Sequence, residues 1–226
     1  MDIKNTAKQF DKVALEYDFV VSLTEKQDDI LVKSMPNKRN QVLDIGCGSG
    51  NKSILLSKYF EHVIGIDISD SFLQIAEHKK NAKGIKNIQF INMDAEKMDF
   101  SEKFDMIISR TTFHHLNIAN VLERCVSLLN NGGVIYIKDN VSDNPTPAKW
   151  TYIVGAFLEF WPDCKQYGFK NAKRIFSHNV SKDWLSHLAS DIYLSESDYH
   201  KIYEKHLPSC NFIREGWAMN VIWKKI

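Results

Sequence analysis

"VLDIGCGSG", Val42–Gly50, carries an apolar run into an aspartate and then sets glycines at alternate positions, Gly46, Gly48 and Gly50. A strand that stops at glycines leaves bare backbone at its carboxyl end, where an open parallel sheet takes its ligands. Without a Cβ the chain can approach a ligand closely and adopt positive φ. The spacing is G-x-G-x-G and lacks the two-residue gap of G-x-G-x-x-G, so a pyrophosphate seated on the next helix is not the first expectation.

Outward from this loop the chain alternates. "NKSILLSKYF" has helical spacing, "HVIGID" reads as a strand, and "SDSFLQIAEHKKNA" reads as a helix with Ser69 or Asp70 as its cap. "IQFINMD" and "FDMIISR" are further strands. "NIANVLERCVSLL" is a helix capped by Asn117 and closed by Asn130–Gly133, and "GVIYIKD" is a fifth strand. Upstream, Phe10, Val13 and Tyr17 mark an amphipathic helix, and a second helix is expected from about Thr24 to Met35, ended by Pro36. Such alternation implies an α/β, doubly wound, mostly parallel sheet with right-handed crossovers and helices on both faces.

After Asp139 the alternation breaks. "NVSDNPTPAKW" holds two prolines, and the insert from Asn140 to His178 is dense in aromatics. Helices are expected at Lys182–Ala189 and Glu196–His206, the latter with Ser195 and Asp198 at capping-box spacing. "NFIREGW" and "MNVIWKK" suit an antiparallel hairpin on the sheet edge.

Composition narrows the classes. The 226 residues suit a single domain, 1–226, with a helical cap over 1–36 and a lid insertion over 140–180. With 29 basic and 28 acidic residues and a net charge of +1, no block of charge marks a nucleic-acid or anionic-lipid partner, although a patch assembled only in three dimensions would escape such a count. Cys47, Cys125, Cys164 and Cys210 are widely spaced, which argues against a zinc site or a disulfide scaffold. No apolar run is long enough to span a membrane, and the expectation is a cytoplasmic monomer or homodimer.

Acids stand at three successive strand ends. Asp67 closes the second strand and can accept both hydroxyls of a ribose. Asp94 closes the third and can accept from an exocyclic amine such as that of adenine, while Asp44 can face a cationic part of the ligand. Together they favour a positively charged nucleoside over a polyphosphate.

"VLDIGCGSG", "GIDIS", "INMDAEKM", "FDMIISRTTFHHL" and "LLNNGGVIYIKD" resemble the ordered motif set of the class I S-adenosylmethionine-dependent methyltransferases, small-molecule branch. The resemblance implies a Rossmann-like seven-stranded sheet with an antiparallel C-terminal hairpin, N-terminal helices and an aromatic-rich helical lid after the fifth strand. It implies S-adenosylmethionine as cofactor, S-adenosylhomocysteine as product, and no metal. The cofactor residues it assigns are Tyr17, Asp44, Gly46, Cys47, Gly48, Gly50, Asp67, Ile68, Asp94, Ala95, Ser109 and Arg110. Tyr17 is similar to a tyrosine laid over the cofactor, and Cys47 reads as a small filler.

Methyl transfer from a sulfonium needs alignment and a dry pocket, and a base only when the nucleophile arrives protonated. His114 and His115 are the candidate bases, and Arg110 could anchor an anionic acceptor. Asp139, Asn140, Trp150 and Trp161 are the expected acceptor contacts, around a small apolar or aromatic molecule. "IKDN" also looks like the corresponding stretch of the protein α-N-terminal methyltransferases, so a peptide amine is a second reading, which should leave an open, acidic channel beside Asp139. A non-catalytic cofactor-binding module is a third, and a dinucleotide oxidoreductase the outside option.

Overall fold

Alternate apolar residues along each central strand divide between two cores. Val42, Met106, Ile108, Val134 and Tyr136 pack in one, and Leu43, Ile45, Ile107, Ile135 and Ile137 in the other. This period of two with both faces apolar is what buries a sheet on both sides. The computed structural model describes residues 3–25, 27–143, 148–189 and 191–226. Pro145 and Pro147 lie outside the described residues.

Along the chain come α1 (Ile3–Thr24), α2 (Asp29–Lys33), β1 (Gln41–Ile45), α3 (Asn51–Leu56), β2 (His62–Asp67), α4 (Asp70–Ala82), β3 (Ile88–Asn92) and β4 (Phe104–Arg110). They are followed by α5 (Ile118–Leu128), β5 (Leu129–Asn140), α6 (Lys149–Tyr167), α7 (Phe169–Asn179), α8 (Lys182–Leu188), α9 (Glu196–His206), β6 (Asn211–Glu215) and β7 (Ala218–Lys224). The sheet has seven strands in the order β3-β2-β1-β4-β5-β7-β6. The first five run parallel and β7 pairs antiparallel with both β5 and β6. The order reverses between β1 and β4, so a crevice opens at their carboxyl ends, beside the glycine loop.

Most expected elements form, with their caps. Ser69 Oγ accepts from Phe72 N–H, Asn117 from Asn120 N–H and Ser195 from Asp198 N–H. Two expectations fail for identifiable reasons. The helix expected from Thr24 to Met35 is reduced to the five residues of α2, because Asp28 caps it by accepting from Leu31 N–H at 3.0 Å. The turn expected at Asn130–Gly133 belongs to β5 instead. Leu129 pairs with Phe104, and Gly132 N–H and Gly133 C=O bond the backbone of Lys225, at the cost of an irregularity in the register.

Helix α1 lies against α4, α7 and α8. Ser69 Oγ donates to Asp11 (2.6 Å), Lys79 pairs with Asp18, and Arg174 makes a forked pair with Glu16 at 2.8 and 3.0 Å. These ties hold the helix across the mouth of the crevice.

Candidate active site

The glycine loop is set by two hydrogen bonds and a close contact. Gly46 N–H and Cys47 N–H both donate to Ile66 C=O, at 2.9 and 3.0 Å, which draws the end of β1 under β2. Gly46 has φ +68°, and a Cβ there would fall 2.2 Å from Thr112 Oγ1. Gly46→Ala is therefore expected to lose about 1–2 kcal/mol from backbone conformation alone, or roughly 2–8 °C in Tm. An unchanged melting temperature would contradict this packing.

Gly48 differs: at φ +51°, a Cβ would meet nothing within 4 Å. Its N–H donates to Asp67 Oδ2 at 2.8 Å, and Ser69 N–H donates to Asp67 Oδ1 at 2.9 Å. The carboxylate is thus fixed at the rim with a further lone pair on each oxygen. Burial raises the Asp67 pKa, and the amide bonds only partly offset it.

Above this loop lies a narrow crevice of about 100 Å³, tighter than the usual small-ligand site. Of the residues expected to bind cofactor, Tyr17, Gly46, Gly48, Asp67, Ile68, Ala95 and Arg110 line it, as does His115. Phe10, Phe72, Met93 and Thr112 join them, none of which was expected to contact the cofactor. Tyr17 packs against Phe72 and Trp184, with ring centroids at 5.6 and 5.4 Å.

The other expected cofactor residues stand behind the lining. Asp44 is buried and accepts from Ser53 Oγ at 2.6 Å, fixing β1 to α3, and burial pushes its carboxyl up to about 6. Cys47 is buried with a pKa raised by desolvation, which makes it inert filler. Gly50 caps α3 under Phe90 and Ala76. Asp94 accepts from Glu96 N–H and pairs with Lys97, so it shapes the turn that presents Ala95. Ser109 Oγ donates to Ile45 C=O at 2.9 Å and ties β4 to β1.

Arg110 is committed as well. Its guanidinium pairs with Glu25 and stands 3.3 Å from Asp28, and Glu25 also holds Lys52. Burial opposes its charge, but these carboxylates keep it protonated. With two acids on one guanidinium, little charge is left to anchor an anionic acceptor.

The histidines form the far wall. His114 Nδ1 lies 2.8 Å from Asp139 Oδ1, and its backbone N–H donates to Asp139 Oδ2 at 2.9 Å. Asp191 Oδ2 is 3.9 Å from His114 Nε2, and Asp191 Oδ1 is 3.7 Å from His115 Nε2 and 3.9 Å from His187 Nε2. Burial would lower the His114 pKa, but the charge and hydrogen bond of Asp139, with Asp191 behind, raise it above the ordinary 6.5. His115 is pushed down to about 2 by burial and by its two histidine neighbours. Burial raises Asp191. The ligand atoms of His114, His115 and Asp191 all lie within 4.8 Å of one another, close enough to hold a metal ion after small movements.

Sequence reasoning missed Asp191, which sits in an unpatterned connector between α8 and α9 and is matched with the histidines only by the fold. The residues expected to contact the acceptor do not line the crevice. Asp139 is 2% exposed and spends both oxygens on His114 and Asn140. The Asn140 side chain hydrogen-bonds Tyr193. Trp150 and Trp161 are 66% and 68% exposed and line none of the crevice, because the ring of α6 that turns inward is Phe160, edge-on to Phe176.

A family model described as "Methyltransferase domain" matches residues 36–203. The chain belongs to the class I S-adenosylmethionine-dependent methyltransferases. S-adenosylmethionine is the cofactor of this enzyme and S-adenosylhomocysteine its product. The methyltransferase is 30% identical to a probable S-adenosylmethionine-dependent methyltransferase of Saccharomyces cerevisiae, CRG1, over 71% of the chain and 50% of that protein. It is 26% identical to a malonyl-[acyl-carrier protein] O-methyltransferase of Bacillus cereus, over 94% of the chain and 80% of that protein. The solved DhpI–SAH complex superposes with a TM-score of 0.66 at 15% identity, over 99% of this chain and 96% of that one. The chain thus spans half the length of the yeast relative. Among the described residues no helix is long and apolar enough to cross a membrane.

Proposed function

We propose that this methyltransferase alkylates a small acceptor held between the glycine loop and the histidine wall. The observation that supports this best is the crevice itself. Its lining combines bare backbone at Gly48, a fixed carboxylate at Asp67, apolar side chains at Ile68 and Ala95, and the His115 ring. A nucleoside with an amino-acid tail fits such a lining: Asp67 would take the ribose, Met93 and Ala95 the base, and Gly46–Gly48 the tail. When bound, the cofactor supplies a sulfonium methyl that the acceptor displaces in line. Tyr17, with Phe10 and Phe72, excludes water from that junction.

The wall supplies the proton acceptor. A pKa of about 2 makes His115 a transit point, while His114, raised above 6.5, can keep a proton near neutral pH. Asp191 reaches both rings and connects them once they close to hydrogen-bond distance, and Asp139 orients His114 from behind. A bound metal is not required in this scheme. Chelation by EDTA is expected to leave turnover unchanged; activity lost to the chelator and restored by a divalent cation would make the cluster a metal centre instead.

The small-molecule reading is supported by the closure around Asp139. A peptide amine would require an open acidic channel there, and Asp139 is covered by His114 and Asn140. Release of S-adenosylhomocysteine across matched panels of small molecules and peptides is the test. Turnover confined to peptides would reverse the assignment.

A further inference from the structure

The lid carries an apolar face that none of the described residues covers. On α6, Trp150, Val154, Phe157, Leu158 and Trp161 are 46–72% exposed, and at about 100° per residue they fall within an arc of roughly 100°. Phe169, at the start of α7, is 64% exposed. Large aromatic side chains offer on the order of 150–250 Å² each. Together these residues exceed the few hundred Å² that single-chain surfaces ordinarily show in one patch.

The charge next to the apolar stripe is basic. Gly168 turns α6 back along α7, and Phe160 meets Phe169 and Phe176 across the hairpin. Given right-handed helices packed antiparallel, the outer arc of α6 and the Phe169–Lys173 arc of α7 open on the same side. Lys165 continues the apolar stripe one turn beyond Trp161, and Lys170 and Lys173 border it across the hairpin. All three are exposed and take part in no ion pair among the described residues. The acids of α6, Glu159 and Asp163, leave the helix on its opposite side. A balanced composition hides this patch, because the fold alone assembles it.

We propose that the α6–α7 face docks the methyltransferase on an anionic lipid surface, with Trp150, Phe157, Leu158 and Trp161 entering the headgroup–acyl boundary and the lysines meeting lipid phosphates. Tryptophan, phenylalanine and leucine on one face with basic residues beside them are the chemistry of an interfacial helix. A second copy of the chain fits less well, since a two-fold pairing would bring the lysines of one copy onto a face whose α6 side offers no acid to meet them.

The test is co-sedimentation of the full chain with phosphatidylcholine vesicles, with and without phosphatidylglycerol, alongside tryptophan emission. The chain should pellet with the anionic vesicles, its emission should shift to the blue, and added salt should release it. Lys165→Ala and Lys173→Ala should each weaken binding by about fivefold, and Leu158→Glu by roughly tenfold or more. S-adenosylhomocysteine binding should stay unchanged in all three. Wild-type protein left in the supernatant with both vesicle types overturns the proposal, as does pelleting that none of the variants weakens. A dimer in sedimentation velocity that Leu158→Glu dissolves also overturns it and makes a second copy the occupant.

Discussion

Replacing His114 by asparagine is expected to lower kcat by about 10²–10⁴, the usual contribution of a positioned acid–base group, while leaving S-adenosylhomocysteine affinity intact. Asparagine keeps a polar side chain near Asp139 but cannot take up a proton. The pH profile separates chemistry from packing. His114 accepts a proton only when neutral, and its pKa lies above 6.5 because Asp139 and Asp191 outweigh the effect of burial. Wild-type kcat should therefore rise with pH to a plateau beyond the ordinary imidazole range, and the rising limb should vanish in the variant. The same shift has a stability consequence of defined sign. A protonated His114 stabilises the fold fully below its unfolded pKa, and that contribution disappears as pH rises through the raised folded value. A loss of less than about tenfold, with the pH limb retained, would leave no room for His114 as the proton acceptor.

Asp67→Ala is the second large effect. The buried carboxylate joins β2 to the glycine loop through Gly48 N–H and to the start of α4 through Ser69 N–H. Its remaining lone pairs face the crevice, where the ribose hydroxyls would otherwise stay unsatisfied. Affinity for S-adenosylmethionine and S-adenosylhomocysteine should each fall by about 1–3 kcal/mol, roughly 5–150-fold in Kd. Melting curves without ligand isolate the structural share of that loss, and Asp67→Asn, which keeps one acceptor oxygen, should fall between alanine and wild type. Unchanged affinity in the alanine variant would remove Asp67 from the ribose site.

The fold was legible because its information is local. Alternating apolar residues in "VLDIG" and "GVIYIKD", glycines at a strand end, and Ser69, Asn117 and Ser195 ahead of helical runs each specify a few residues of backbone, and together they order the sheet. Where a local signal met a tertiary demand, the demand won. Asp28 caps a shortened α2 while its side chain also meets Tyr136 and Arg110, and Gly132 joins β5 because Lys225 offers it a backbone partner.

The candidate site was legible in part for the same reason. Gly48, Asp67, Ile68 and Ala95 follow directly from strand ends. Asp44, Asp94 and Ser109 have the right positions along the chain, yet side-chain direction commits them to Ser53, to the Ala95 turn and to Ile45. Asp191 had no signal, since nothing in a connector shows that it will face a histidine more than seventy residues earlier. Trp150 and Trp161 of α6 were expected on the acceptor but face outward, because an aromatic run does not show which of its sides the sheet will cover.

A crystal soaked with S-adenosylhomocysteine tests the central claim most directly. Density is expected along the Gly46–Gly48 backbone, with the ribose hydroxyls on the Asp67 carboxylate and the sulfur pointing toward the His115 wall. Density elsewhere on the protein, or an Asp67 carboxylate turned away from the sugar, would contradict it.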